Sequence, residues 1–259
     1  MPEPDVLRRL RGVLQDAAEL ASRSGVRDTM EKAALDYVTN VDRELDALLT
    51  ARLAVDVADA PVLSEERPID GAQGVGRFWV IDPLDGTHNF LAGVPFAAIS
   101  AALFDGDDVT VAGVCDLATA EVYLAERGAG CWLDGKRLTL PAVPPALIGV
   151  SSGAMDALMR RPDCYARLRQ TGKLRNFGAQ ALHHCYVARG RLALAVSEEA
   201  KLWDDAAGRL VVEEAGGNYA SLGRGGWGVQ SWQEPMRSIC GHPGAFVTAR
   251  ELFSDIWIR

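Results

Sequence analysis

Phe78-Trp79-Val80-Ile81-Asp82-Pro83-Leu84-Asp85-Gly86-Thr87 is the stretch on which the reading of this chain turns. Four apolar residues form a short strand that ends on an acid, Asp82, and a second acid, Asp85, follows three residues later across a Pro-containing turn. Gly86 lets the backbone come close to a ligand. A helix starting near Thr87 would offer free backbone N–H groups to an anion. Alone, an Asp-x-x-Asp-Gly run is most often a solvated turn, so its weight depends on what surrounds it.

Working outward, Val6–Ser24 places Leu7, Leu10, Leu14, Ala17, Ala18 and Ala21 at helical spacing, with Gly25 as a stop. Val41–Val55 carries a second stripe through Leu45, Leu48, Leu49 and Leu53, and residues 36–40 between the two read as a short strand or loop leading to Asp42. From Pro61 to about Leu140, short apolar runs alternate with Gly and Asp turns. The runs are Phe78–Ile81, Ala97–Phe104, Val109–Cys115, Glu121–Ala125 and Cys131–Leu133. They predict a mostly antiparallel sheet with tight turns at Asp105-Gly106 and Asp134-Gly135.

Pro141, Pro144 and Pro145 mark a boundary. It divides the chain into residues 1–142, an α+β half with the metal and phosphate site, and residues 143–259, an α/β half completing it. Beyond the boundary the rhythm is strand, helix, strand: a strand at 147–151, a helix near 154–170, a strand at 174–177, a helix at 179–188 and a strand at 191–196. A helix near Asp204 ends at Gly216-Gly217. Residues 222–235, rich in Gly and Trp, read as a long loop containing Trp227 and Trp232, and a last helix covers about 244–253.

The acids fall at element edges. Glu65-Glu66 follows Pro61-Val62-Leu63-Ser64, Asp82 ends a strand, and Asp204 follows Trp203 at a helix start. Taken singly, the Glu pair is a solvated surface pair and Trp203-Asp204 a packed Trp beside a helix cap. Pointed into one cleft, these carboxylates would repel one another unless cations neutralise them. Magnesium is a hard cation that takes about six oxygen ligands. Two such ions could clamp a phosphate, activate a water and stabilise the leaving oxygen, with no protein nucleophile. The pattern predicts a magnesium-dependent phosphomonoesterase.

The bulk properties agree. The chain has 259 residues, 48% of them apolar, enough for a substantial core. Its net charge of −8 gives no sign of a nucleic-acid surface. No leader pattern and no apolar stretch of about 18–20 residues is present, so neither secretion nor membrane insertion is expected. Five scattered cysteines with no Cys-x-x-Cys pair read as free thiols of a reducing cytoplasm.

Four segments occur in order: Tyr37-Val38-Thr39-Asn40-Val41-Asp42, Leu63-Ser64-Glu65-Glu66, Trp79 to Phe90, and Trp203-Asp204-Asp205-Ala206-Ala207-Gly208 with Glu214-Ala215-Gly216-Gly217. Together they resemble the inositol monophosphatase family, within the lithium-sensitive, magnesium-dependent sugar phosphatases. The resemblance implies a five-layer αβαβα sandwich, usually dimeric. It implies that Glu65, Asp82 and the Leu84 carbonyl hold one Mg2+, that Asp82, Asp85 and Asp204 hold a second, and that a third shares Glu65. Asp42 and Thr87 would activate the attacking water, and the amides of Gly86 and Thr87 would hold the phosphate. Lys32 stands at the spacing of a family lysine near the metals.

The chain departs from the family where substrate is chosen. Ser197 stands six residues before Trp203, where a glutamate usually binds substrate hydroxyls, with Glu198 and Glu199 beside it. Gln180 replaces a smaller residue lining the substrate site. The aspartate often found after the Arg191-Leu192 pair is absent. His88 stands where many members have Thr; it could touch the leaving group, though a solvent-facing helix residue is the plainer reading. His183-His184 reads as a helix-surface pair and Cys185 as core. The expected substrate is a small sugar or polyol phosphate such as inositol-1-phosphate, with histidinol phosphate and fructose-1,6-bisphosphate as alternatives. Some relatives bind transcription machinery instead, and that is the competing class of function.

Overall fold

The computed structural model describes residues 2–33, 36–67, 76–221 and 234–257. Leu7, Leu10, Leu14, Ala17 and Ala21 recur at three- and four-residue steps, and they bury one face of helix α1 (Asp5–Arg23). A hairpin of β1 (Thr29–Ala33) and β2 (Asp36–Thr39) leads into α2 (Asn40–Arg52). Thr39 caps α2 by accepting from the amides of Val41 and Asp42, while the Asp42 carboxylate accepts from the Thr39 amide at 2.8 Å. A π-helical turn, Leu53–Val57, extends α2.

The next strands are β3 (Val62–Ser64), β4 (Arg77–Asp85), β5 (Ala98–Asp105), β6 (Asp108–Asp116), β7 (Val122–Glu126), β8 (Gly130–Leu133) and β9 (Lys136–Leu138). They form one sheet in chain order; only β3 and β4 pair in parallel, so the mostly antiparallel sheet expected from the sequence is present. Asp134 and Gly135 both take positive φ, 48° and 78°, which a two-residue hairpin turn of this hand requires. The short helix α3 (Thr87–Ala92) follows β4 directly.

The second sheet has the order β11-β10-β12-β14-β13, made of β10 (Leu147–Val150), β11 (Lys173–Arg175), β12 (Leu194–Ala200), β13 (Asn218–Ser221) and β14 (Met236–Gly241). Helices α4 (Ser152–Met159), α5 (Pro162–Thr171), α6 (Gln180–Ala188), α7 (Leu202–Ala215) and α8 (Pro243–Trp257) complete the chain. The single helix expected near 154–170 is two, because Pro162 lacks an N–H and clashes with a preceding turn, yet suits a first helical position. Strand β14 was not foreseen: its residues are buried on both faces, so no alternation marks it. Residues 222–233 of the expected Gly/Trp loop, with Trp227 and Trp232, lie outside the described residues.

Three apolar clusters fill the spaces between five layers. Trp79 and Ile81 of β4 pack with α1 and α2, whereas Phe78 and Val80 face α6 and α7. The period of two along a strand explains this division. A third cluster joins β10, β12 and β14 to α4, α5 and α8. The layers are therefore α1/α2, the seven-stranded sheet, α6/α7, the five-stranded sheet and α4/α5/α8, an αβαβα sandwich. All five cysteines are buried and free. Among the described residues no helix is long and apolar enough to cross a membrane.

Candidate active site

Asp82 lies two residues past Val80 and so shares the sheet face covered by α7. Asp85 ends the same strand, and Asp204 lies in the first turn of α7. One carboxylate oxygen from each of Asp82, Asp85 and Asp204 falls within 4.8 Å of the others. Helix α7 lies across this sheet face with its first turn over the end of β4, which brings residues 119 and 122 positions apart in the chain into one cluster.

Each acid is held by backbone N–H groups. Asp82 accepts from the Leu84 amide at 2.9 Å. Asp85 accepts from the amides of Gln180 at 3.2 Å and Ala181 at 2.7 Å, the first turn of α6. Asp204 accepts from the Lys201 amide at 2.7 Å. These bonds favour the charged form. Burial outweighs them: with the charges of Glu65 and Asp82's other neighbours it pushes Asp82 well above the usual carboxylate range. Burial does the same for Asp204, with Asp85 and Glu65 adding to it, and raises Asp85 to about 7. Three carboxylates forced together in a protein interior form an oxygen-only donor set, which fits a hard divalent cation.

Glu65 follows β3 and donates its amide to the Ile81 carbonyl at 3.2 Å, which seats it next to Asp82 on the neighbouring strand. Its carboxylate is not in the 4.8 Å group; it accepts from Lys32 Nζ at 3.1 Å, and Glu66 accepts from the same ammonium at 2.7 Å. Lys32 is brought there by the β1–β2 hairpin. Burial works against its charge, but the two carboxylates outweigh that and hold its pKa above the ordinary value. Burial raises Glu66 to about 7 despite Lys32.

Thr87 opens α3. Its hydroxyl lies 3.0 Å from the Leu84 carbonyl oxygen and 3.2 Å from Asp42 Oδ1. Asp42 Oδ2 accepts from the Thr39 hydroxyl at 2.5 Å and from the Thr39 amide. Gly86 precedes Thr87 with φ of 86°, and a Cβ there would stand 3.0 Å from the Phe96 carbonyl oxygen and 3.1 Å from Ala179 Cβ. Both facts require glycine. Asn89 pins this loop to two other segments, donating to the carbonyls of Phe96 at 2.8 Å and Phe177 at 2.6 Å.

The residues expected around the substrate divide. His88 is exposed on α3, edge-on to the Tyr37 ring at 5.2 Å. Gln180 and Ser197, by contrast, spend their side chains inside the fold. The Gln180 amide bonds Asp205 at 3.1 Å and lies 3.2 Å and 3.3 Å from His184 Nε2 and His183 Nδ1. Ser197 is 1% exposed, and its hydroxyl accepts from the amides of Glu199 and Ala200 where β12 breaks register with β14. His183-His184 is not a surface pair: both are buried, because α6 is sandwiched between the two sheets and has no solvent face for them. Burial drives His183 down to about 3 and lowers His184. Asn89 and Asp205 lie within two of the segments that carry the resemblance, but the sequence reading gave neither a role, because their partners Phe96, Phe177, Gln180 and Tyr219 come from other elements.

The inositol monophosphatase family model matches residues 6–246. A Nus factor SuhB of Pseudomonas aeruginosa is 37% identical over 217 residues, covering 78% of this chain and 80% of that protein. An inositol-1-monophosphatase of Rhizobium meliloti is 32% identical over 261 residues, covering 94% and 95%. The crystal structure of extragenic suppressor protein suhB from Bartonella henselae superposes with a TM-score of 0.81 at 25% identity, covering 96% of this chain and 98% of that one. The chain belongs to the inositol monophosphatase family, a magnesium-dependent family. It is a phosphoric monoester hydrolase acting on a small phosphorylated substrate.

Proposed function

We propose that the chain hydrolyses a small sugar or polyol phosphate, inositol-1-phosphate or a close relative, at the cluster of Asp82, Asp85 and Asp204. The observation that carries this reading is the convergence of three carboxylates within 4.8 Å beside the Thr87–Asp42 pair. Asp82, Asp85 and Asp204 would hold one Mg2+, and Asp82, Glu65 and the Leu84 carbonyl another, with a third sharing Glu65. The Leu84 carbonyl keeps a second lone pair beyond the one facing Thr87. Magnesium bound there would supply polarisation of a phosphoryl oxygen and a lowered pKa for water.

The protein's own groups would do the rest. The Thr87 hydroxyl orients the attacking water, and Asp42 Oδ1 takes the proton, its other oxygen being held by Thr39. The amides of Gly86 and Thr87 bind the phosphate. Lys32 and His88 flank the entrance on the β1–β2 hairpin and α3, where they can meet the substrate. The two halves, 1–142 and 143–259, each bring acids to the site, and the working form is a cytoplasmic homodimer sensitive to lithium.

Similarity to a Rhizobium meliloti protein named inositol-1-monophosphatase supports ranking inositol-1-phosphate ahead of histidinol phosphate and fructose-1,6-bisphosphate for this chain. The test is phosphate release with magnesium over a panel of these three and simpler polyol phosphates, for the wild type and Asp85→Asn. The wild type should turn over at least one polyol phosphate, and Asp85→Asn should lose about a hundredfold or more in kcat/KM while staying folded. Near-normal turnover of the variant at saturating magnesium would remove the metal assignment. The similarity to a Nus factor supports a second reading, binding to transcription machinery. Recovery of RNA polymerase in a pull-down, together with no release from any substrate, would favour it.

A further inference from the structure

Behind the three acids lies a polar network that the reaction itself does not use. Asp205 is fully buried, one residue after Asp204. Its Oδ1 accepts from Gln180 Nε2 at 3.1 Å and lies 3.5 Å from His184 Nε2; its Oδ2 accepts from the Tyr219 hydroxyl at 2.8 Å. The Gln180 carbonyl oxygen faces His183 Nδ1 at 3.3 Å. The backbone of the same glutamine, with Ala181, supplies the two N–H groups that hold Asp85. Helices α6 and α7 cross here in close contact, since a Cβ on Gly208 would stand 2.6 Å from His184 Cβ.

A buried carboxylate is expensive, and apolar side chains of similar volume fill such a space at no comparable cost. This network therefore calls for a reason beyond packing. One side chain joins the first turn of α6, which grips Asp85, to the first turn of α7, which carries Asp204. Glutamine suits the position because it offers both polarities: its NH2 satisfies Asp205 and its carbonyl satisfies His183.

We infer that Gln180 is a positioning residue whose hydrogen bond to Asp205 locks the α6 and α7 first turns together and sets the spacing of Asp85 and Asp204 for a shared divalent cation. This rests on the reading that those two acids hold magnesium. The bond acts through the geometry of the two ligands and not by touching substrate.

The test is calorimetric titration of the full chain with MgCl2, beside thermal melts in EDTA, for the wild type, Gln180→Leu, Gln180→Glu and the double variant Gln180→Glu/Asp205→Asn. The double variant keeps the net charge and reverses the polarity of the bond. Gln180→Leu should weaken Mg2+ binding by about tenfold or more. Gln180→Glu should do so as well, by setting two carboxylates face to face, and the double variant should recover most of the affinity. Wild-type affinity in Gln180→Leu, with or without a lowered melting temperature, would overturn the inference. So would a double variant that is folded in EDTA but no better than Gln180→Glu. Should Gln180→Leu not fold, Gln180→Glu against the double variant carries the comparison. Asp85→Asn separates the two levels: unchanged Mg2+ affinity there sinks the metal reading itself, whereas lost affinity there with none lost in Gln180→Leu sinks only the positioning role.

Discussion

The Thr87 hydroxyl has one proton and two acceptors, the Leu84 carbonyl and Asp42 Oδ1. It can donate to only one at a time, so its oxygen lone pairs stay available to a water on the open side. The Asp42 carboxylate is fixed from behind by two donors of Thr39 and does not swing. Under the proposed mechanism, in which the hydroxyl acts on the reacting water, Thr87→Ala should lower kcat by about a hundredfold with little change in KM. Steady-state kinetics on the best substrate of the panel would decide this; an effect confined to KM would assign Thr87 to binding instead. At the same scale, the spacing of Gln180 and Ser197 from Gly178 and Trp203 leads one to expect substrate residues, while their side chains bond inside the fold, because the direction of a side chain depends on neighbours far away in sequence.

At the scale of elements, the site hangs on two close approaches. Gly86 lets the β4–α3 turn pass against Phe96, Gly178 and Ala179, and Gly208 lets α7 lie against the His184 ring. In an exposed helix Gly→Ala gains about 0.5–1 kcal/mol from chain entropy. At Gly208 the added methyl meets the His184 side chain in a fully packed interior, where overpacking costs about 1–3 kcal/mol. The second effect wins. Gly208→Ala should lower stability in urea unfolding and also weaken Mg2+ binding, since α6 carries the amides that hold Asp85. An unchanged or raised urea midpoint would mean that α6 shifts without cost, contrary to the packing described.

At the scale of the whole molecule, the cluster couples folding to pH and metal. Asp85 is raised to about 7 from 3.8, chiefly by burial, and Asp82 and Asp204 move the same way. A carboxyl whose folded-state pKa is raised loses stability for the fold as pH climbs from about 4 to about 7. The buried histidines run oppositely: their lowered pKa values give stability that is present above about 6.5 and lost as pH falls. Comparing melts with and without magnesium at each pH largely cancels the histidine contribution. Protons compete with the cation for the same oxygens, so the gain in melting temperature on adding magnesium should grow between about pH 6 and pH 8. A gain that is flat across that range would place the cation elsewhere.

Much of this molecule could be read from the chain. The helical stripes of α1 and α2, the Gly/Asp-punctuated strands and the Gly216 stop are local patterns, because helix and strand periods and turn dihedrals are properties of neighbouring residues. Asp85 and Asp204 were legible for a related reason: one ends β4 and the other lies in the first turn of α7, and edges carry sequence signals; Asp82, expected to end its strand, lies inside β4, which runs on through Pro83 to Asp85. What needed the tertiary structure was everything set by contact across layers. The alternation-free β14 resisted reading because both its faces are covered by other elements, whereas the break at Pro162 is itself a local signal, the missing N–H of proline. The burial of His183-His184 and the turn of Gln180 toward Asp205 arise only when helices between two sheets lose their solvent face, and the grip of Lys32 on Glu65 and Glu66 arises only when the β1–β2 hairpin folds over the end of β3. Sequence alone determined that this chain gathers acids beside the Gly86-Thr87 turn. The packing of α6 against α7 decided how those acids are held, because a side chain's partners in a closed interior are chosen by what else is there.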